Sequence, residues 1–208
     1  MSIGHDHGTD VFDGVSSTYR RVLWAVIAIN GAMFLVEMVA GIAARSQALQ
    51  ADALDFFADS VTYGLSLFMI GQPLMWRARA ALFKGLSLAV MAIWVLGSTI
   101  YHVVFLGVPA AGVMGAVGLM ALMANLASVF LLLNYRNGDS NVRSVWLCSR
   151  NDAIGNVAVL IAAGFVAWTN TGWPDLIVAG IMASLFMYSA LQIISHARKE
   201  IAHAAGHS

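Results

Sequence analysis

The sequence predicts an all-α membrane protein of six transmembrane helices, and three observations carry that reading. Hydrophobic residues make up 60% of the 208 positions and charged residues only 11%. Soluble domains carry about a quarter charged residues, so this chain cannot cover a water-facing surface. Apolar runs of about 20 residues, enough to cross the hydrocarbon core as a helix, occur six times. The runs are continuous rather than alternating over about ten residues, which excludes barrel strands.

The first run, Tyr19–Ala44, follows a polar stretch containing His5, Asp6, Asp10 and Asp13, with no signal-peptidase pattern after it. It therefore reads as a retained helix. The second, Ala48–Ile70, ends at Gly71-Gln72-Pro73, and the third, Ala80–Leu106, at Gly107-Val108-Pro109. The fourth, Ala110–Asn134, precedes Asn137-Gly138-Asp139; the fifth, Asn141–Trp168, and sixth, Pro174–His196, meet at Gly172-Trp173-Pro174. These connections are turn chemistry. The domains expected are a tail over 1–18, a membrane domain over 19–196 and a tail over 197–208, with no soluble C-terminal domain. Gly97, Ser98, Gly112, Gly115, Gly118, Ala121 and Ala124 read as small residues permitting close helix packing.

Charge orients the bundle. With the N-terminus inside, the inner flanks hold Arg20, Arg21, Arg77, Arg79, Lys84, Arg136, Arg143, Arg150, Arg198 and Lys199, and the outer flanks only Arg45. Ten of eleven bases on one side is a positive-inside signal that places both termini in the cytoplasm. The formal net charge is +0, which gives no reason to expect nucleic acid. The single cysteine, Cys148, excludes an intrachain disulfide.

Ionisable groups inside a membrane are costly and mark function by default. The second span holds Asp52, Asp55 and Asp59 on one helical face, and the fifth holds Cys148, Asp152 and Asn156 on another. At 1.5 Å per residue, Asp55 and Asp59 lie roughly 10–17 Å in from one side, and Cys148 and Asp152 roughly 10–17 Å in from the other. In a core about 30 Å thick the two pairs meet near the midplane. Three carboxylates and one thiolate there can satisfy a tetrahedral divalent ion. Arg150, the base nearest in sequence, sits about 200° around the helix from both Cys148 and Asp152, so no base is expected to face the site. Asp52 reads as a mouth or supporting residue. Glu37 and Asn30 share a face of the first span, and Asn125 lies in the fourth; these read as packing or pathway residues. Tyr63 reads as packing or gating, His102 as interfacial, and Trp76 and Trp173 as interfacial anchors.

The stretch from Ser46 to Asp59, SQALQADALDFFAD, together with Asn141 to Asn156, NVRSVWLCSRNDAIGN, resembles the cation diffusion facilitator family. The resemblance runs from Arg20 to about His196. It implies a divalent transition-metal exporter in which helices 1, 2, 4 and 5 surround the metal site and helices 3 and 6 lie outside them. It places Asp55, Asp59 and Asp152 on ligand positions, and Cys148 where the family usually has His. The softer thiolate favours Zn and Cd, with Co, Fe, Mn and Ni behind them. The family's usual His-rich loop and C-terminal domain are not expected here, so a homodimer would form through the membrane helices.

The resemblance also implies proton antiport by alternating access from a bacterial inner membrane. Clustered carboxylates repel one another, so some should hold protons until metal displaces them. The chain is thus expected to be a secondary transporter and not an enzyme, needing no cofactor beyond the metal it carries. A metal-sensing accessory subunit is the main alternative. A lipid phosphotransferase is a weaker one, because Asp52–Asp59 lacks the Gly and Arg such enzymes place between their acids. His5, His7, His203 and His207 lie in the expected tails and could collect metal weakly.

Overall fold

The computed structural model describes residues 16–69, 74–104, 107–137 and 140–206. Six helices follow in chain order: α1 (Ser17–Ala44), α2 (Gln47–Met69), α3 (Leu74–Val104), α4 (Ala111–Leu132), α5 (Ser140–Thr169) and α6 (Trp173–Gly206). A 3-10 turn, Leu133–Tyr135, extends α4. Two helices outrun their apolar stretches. α3 begins six residues before Ala80, and α6 continues past His196 to Gly206, so residues 197–206 continue the helix where a tail was expected. The turns at Gly71-Gln72-Pro73 and at Gly138-Asp139, and His5, His7 and His207, lie outside the described residues.

Five of the six helices are long and apolar enough to cross a membrane. α2 is the exception, because it carries Asp52, Asp55 and Asp59. The outward faces present Trp24, Val39, Phe83, Trp94, Phe130 and Trp168, side chains that favour hydrocarbon over water. The chain is an integral membrane protein.

The inward faces are selected differently. α1 buries Tyr19, Leu23, Val26, Asn30, Met33, Glu37, Gly41 and Ala44, alternating steps of three and four that mark one helical stripe. That stripe includes Asn30 and Glu37, two polar residues set among apolar ones. α4 repeats the pattern with Met114, Val117, Gly118, Ala121, Asn125, Ser128 and Leu132.

α1 packs on α2 and α4 on α5, and an α1–α4 contact joins these pairs. α3 and α6 pack most extensively on each other, reaching the rest through α2 and α5. The small residues that allow this are not all those anticipated. A Cβ on Gly118 would stand 3.4 Å from Val159, and Ala121 is buried, but Gly97, Gly112 and Gly115 face open space. The closest approaches are Gly85 on Ile194, where a Cβ would fall 2.8 Å away, and Gly41 on Gln50.

The α1–α2 hairpin turns through two residues. Arg45 adopts φ 56°, the left-handed conformation that ends a helix, and Ser46 Oγ accepts from Leu49 N at 3.1 Å. Asp175, in the first turn of α6, completes this cap. It accepts from Ser46 Oγ at 2.5 Å, Gln47 N at 2.7 Å and Ala48 N at 3.1 Å. A carboxylate at a helix N-terminus satisfies orphan amides and complements the helix dipole. Beside it, Ser98 Oγ donates to Gln47 Oε1 at 2.6 Å, tying α3 to the same corner. This corner fixes where α2 starts, and so the level of every aspartate along it.

Candidate metal centre

α2 and α5 are antiparallel neighbours, and their register can be read contact by contact. Tyr63 Oη lies 3.5 Å from the Val145 carbonyl, to which it can donate. One turn along α2, Asp59 is the charged group acting most strongly on Cys148. The Asp152 carboxyl meets those of both Asp55 and Asp59. The four residues expected to share a level therefore stand on facing turns of two helices. Asp59 is buried, while Asp55, Cys148 and Asp152 are half-buried. Among the described residues, no three His, Cys, Asp or Glu side chains are gathered closely enough to enclose an ion as they stand. The four are neighbours rather than a closed coordination shell.

Two further residues complete the neighbourhood. Tyr63, fully buried, donates its hydroxyl to Asp59 Oδ2. Lys84, from α3, acts electrostatically on Asp55, Asp59 and Cys148. This corrects the expectation that no base faces the site. Arg150 does point away, lying over the Trp146 ring at 5.4 Å and donating to Asn151 Oδ1 at 3.2 Å. Lys84 reads as a flanking charge in a positive-inside count. It nevertheless belongs to the stripe Ala81, Lys84, Leu88, Met91, Val95, each half-buried or buried. Leu88 and Val95 of that stripe share a core with Ala48, Leu49 and Ala51 of α2. Heptad spacing around Lys84 was the available signal.

The remaining polar candidates divide by whether they find partners. Asn30, Glu37, Asp52, Asn125 and Asn156 are all buried. Both Glu37 carboxylate oxygens, Asp52 Oδ2, Asn30 Oδ1 and both Asn156 amide atoms lack hydrogen-bond partners. His102 lies apart from the cluster, its Nδ1 2.9 Å from the Ser98 carbonyl. Trp76 and Trp173 are exposed, and Arg79 stacks over the Trp76 ring at 5.6 Å.

With this geometry in place, likenesses to known proteins bear on its use. The chain matches the Cation efflux transmembrane domain over residues 23–72 and 76–202. It is 27% identical to the zinc transporter ZitB of Escherichia coli, over 99% of this chain and 69% of that protein. It is 25% identical to the metal cation efflux system protein CzcD of Cupriavidus metallidurans, over 86% of this chain and 58% of that protein. A cadmium, cobalt and zinc/H(+)-K(+) antiporter of Bacillus subtilis is 23% identical, over 92% of this chain and 64% of that protein. The chain thus spans between 58% and 69% of the length of these relatives.

Proposed function

The chain belongs to the cation efflux, or cation diffusion facilitator, family, and from that premise we propose that it exports a divalent transition metal from the cytoplasm across a bacterial inner membrane. The observation that carries the reading is the meeting of Asp55 and Asp59 on α2 with Cys148 and Asp152 on α5. These four would be the metal ligands. To bind, Asp59 would turn from Tyr63 toward the ion, and Cys148 would bind as thiolate. The donor set favours Zn or Cd, and the metals named for the relatives support that choice.

In this proposal α1, α2, α4 and α5 surround the pathway while α3 and α6 flank it, and all six helices cross the membrane. α2 can do so despite its acids because Asp52 and Asp59 are buried against neighbouring helices. Both termini would be cytoplasmic, by the positive-inside count. Protons held among the carboxylates would leave as metal enters and return as it leaves, giving antiport by alternating access. Two chains would pair through their membrane helices.

Transport of Zn, Cd, Co, Mn, Fe and Ni into proteoliposomes, with and without an imposed pH gradient, tests this. Zn or Cd flux that rises with the gradient is expected. Flux indifferent to the gradient removes proton antiport. Absence of flux for every metal removes the transporter reading.

A further inference from the structure

We propose that Glu37, Asp52 and Asn156 form a second divalent-cation site, built only from oxygen donors, one helical turn from the Asp55–Asp152 cluster toward the Arg45 end of the bundle. The proposal rests on the transport reading above and adds a separate stop on the same route.

Three lines of geometry converge on these residues. The first is the α2–α5 register. Tyr63 meets Val145, Asp59 acts on Cys148, and Asp55 meets Asp152. One more turn of the same antiparallel pairing sets Asp52 level with Asn156, which shares the Asp152 face of α5. The second is the α1–α2 register. Gly41 lies against Leu49 and Gln50, and a Cβ on Gly31 would stand 3.9 Å from Ser60 Oγ. Glu37 falls between these fixed points, level with the turn running from Asp52 to Asp55. The charged groups acting on Glu37 are those two acids, Asp52 more strongly than Asp55. The third is burial without satisfaction. Glu37 and Asn156 are 0% exposed and Asp52 1%. Both Glu37 oxygens, Asp52 Oδ2 and both amide atoms of Asn156 are unpartnered.

Buried polar groups in native proteins are almost always paired, and exceptions call for an explanation. Glu37 and Asp52 have chiefly each other to meet, and with the unpartnered amide of Asn156 at their level they make an oxygen-donor set suited to a cation. A divalent ion would neutralise both acids, and Asn156 Oδ1 would supply a third, uncharged oxygen. Hard oxygen donors suit a different coordination from the thiolate-containing cluster one turn away. An ion could therefore pass between two sites of unlike chemistry without leaving the bundle.

Cadmium binding to the full-length protein in detergent separates the two sites, because only an ion on Cys148 produces thiolate-to-cadmium charge-transfer absorption. Equilibrium dialysis should find two equivalents per chain, one of them with that absorption. Glu37→Gln or Asp52→Asn should remove the silent equivalent and keep the absorbing one, while Asp59→Asn should do the reverse. Should the acid variants misfold, Asn156→Ala keeps both carboxylates and should weaken the silent equivalent about tenfold or more. One absorbing equivalent in the wild type overturns the second site and leaves the four-ligand centre standing. That result would fit Glu37 and Asp52 sharing a proton instead. Two equivalents both lost in Asp59→Asn also overturn it. A silent equivalent lost in Asp52→Asn supports it even where no absorbing equivalent is found, an outcome that counts only against the Cys148 reading.

Discussion

Asp175 and two of the acids along α2, Asp52 and Asp59, are all buried in an apolar helical bundle, and their surroundings differ sharply. Asp175 meets a hydroxyl and two backbone amides through both its oxygens. Asp52 and the Glu37 beside it meet chiefly each other, and Asp55, Asp59 and Asp152 meet one another, with the Tyr63 hydroxyl donating to Asp59. Burial is common to both regions, so burial alone does not mark function. What separates them is satisfaction. A carboxylate surrounded by donors is part of the scaffold, whereas carboxylates facing carboxylates are arranged for a positive charge that the protein does not itself supply in full.

The largest expected effect lies in the acidic region. Asp59→Ala or Asp152→Ala should lower transport at least about 100-fold, since even residues that only support metal ligands are worth 10–100-fold in affinity. Thermal unfolding of Asp152→Ala in detergent should stay near that of the wild type, or rise, because a like charge is removed, whereas Asp59→Ala also takes the acceptor from the buried Tyr63 hydroxyl. Undiminished flux in either variant would erase the distinction between the two regions.

Asp175→Ala should do the opposite. Hydrogen bonds to a charged acceptor contribute about 1.5–3 kcal/mol each, and a helix cap about 1 kcal/mol. Loss of about 3 kcal/mol of stability is expected, read as a lower unfolding temperature in detergent, with flux per folded molecule retained. If flux fell while stability held, Asp175 would belong with the functional acids despite its satisfied oxygens.

Cys148 sharpens the comparison within the acidic region. Cys148→Ser replaces a soft donor by a hard one of similar size. Cd affinity should fall about tenfold, with Zn affected less, measured as competition between the two metals in one transport assay. Unchanged affinity for both would mean that the thiol does not touch the ion.

Much of this contrast was legible in the sequence. Composition and run length marked the helices, and the spacings Asp55 to Asp59 and Cys148 to Asp152 marked two faces that the register of α2 against α5 brings together. What escaped was whatever depends on one helix meeting another. Asp175 draws no reading, because nothing local reveals that Ser46, 129 positions away, will donate to it. Gly85 carries no more signal than Gly97, yet a Cβ on Gly85 would collide with α6, while one on Gly97 would meet open space among the described residues. The extra turns of α3 and α6 escaped because apolarity marks the width of the membrane, while helices continue beyond it wherever backbone and neighbours permit.

Lys84 is the residue on which the sequence and the structure part most clearly, and it carries the smallest predicted effect. A base counted on a membrane flank should be indifferent to metal. A base acting on Asp55, Asp59 and Cys148 offsets their negative charge and competes with any ion entering the cluster. One charge and a divalent ion several ångströms apart interact by about 1 kcal/mol even at water-like screening, close to a fivefold change in affinity. Lys84→Met keeps the stem and removes the charge. Metal binding to the purified protein should tighten about fivefold, and the KM for transport should fall with it, while release slows. Lys84→Arg, which keeps a charge, should leave binding closer to the wild type. Unchanged affinity in Lys84→Met would return the residue to the membrane flank. Weakened affinity would mean that Lys84 orders the carboxylates instead of opposing their ion, and the acidic region would then contain a structural cation of its own.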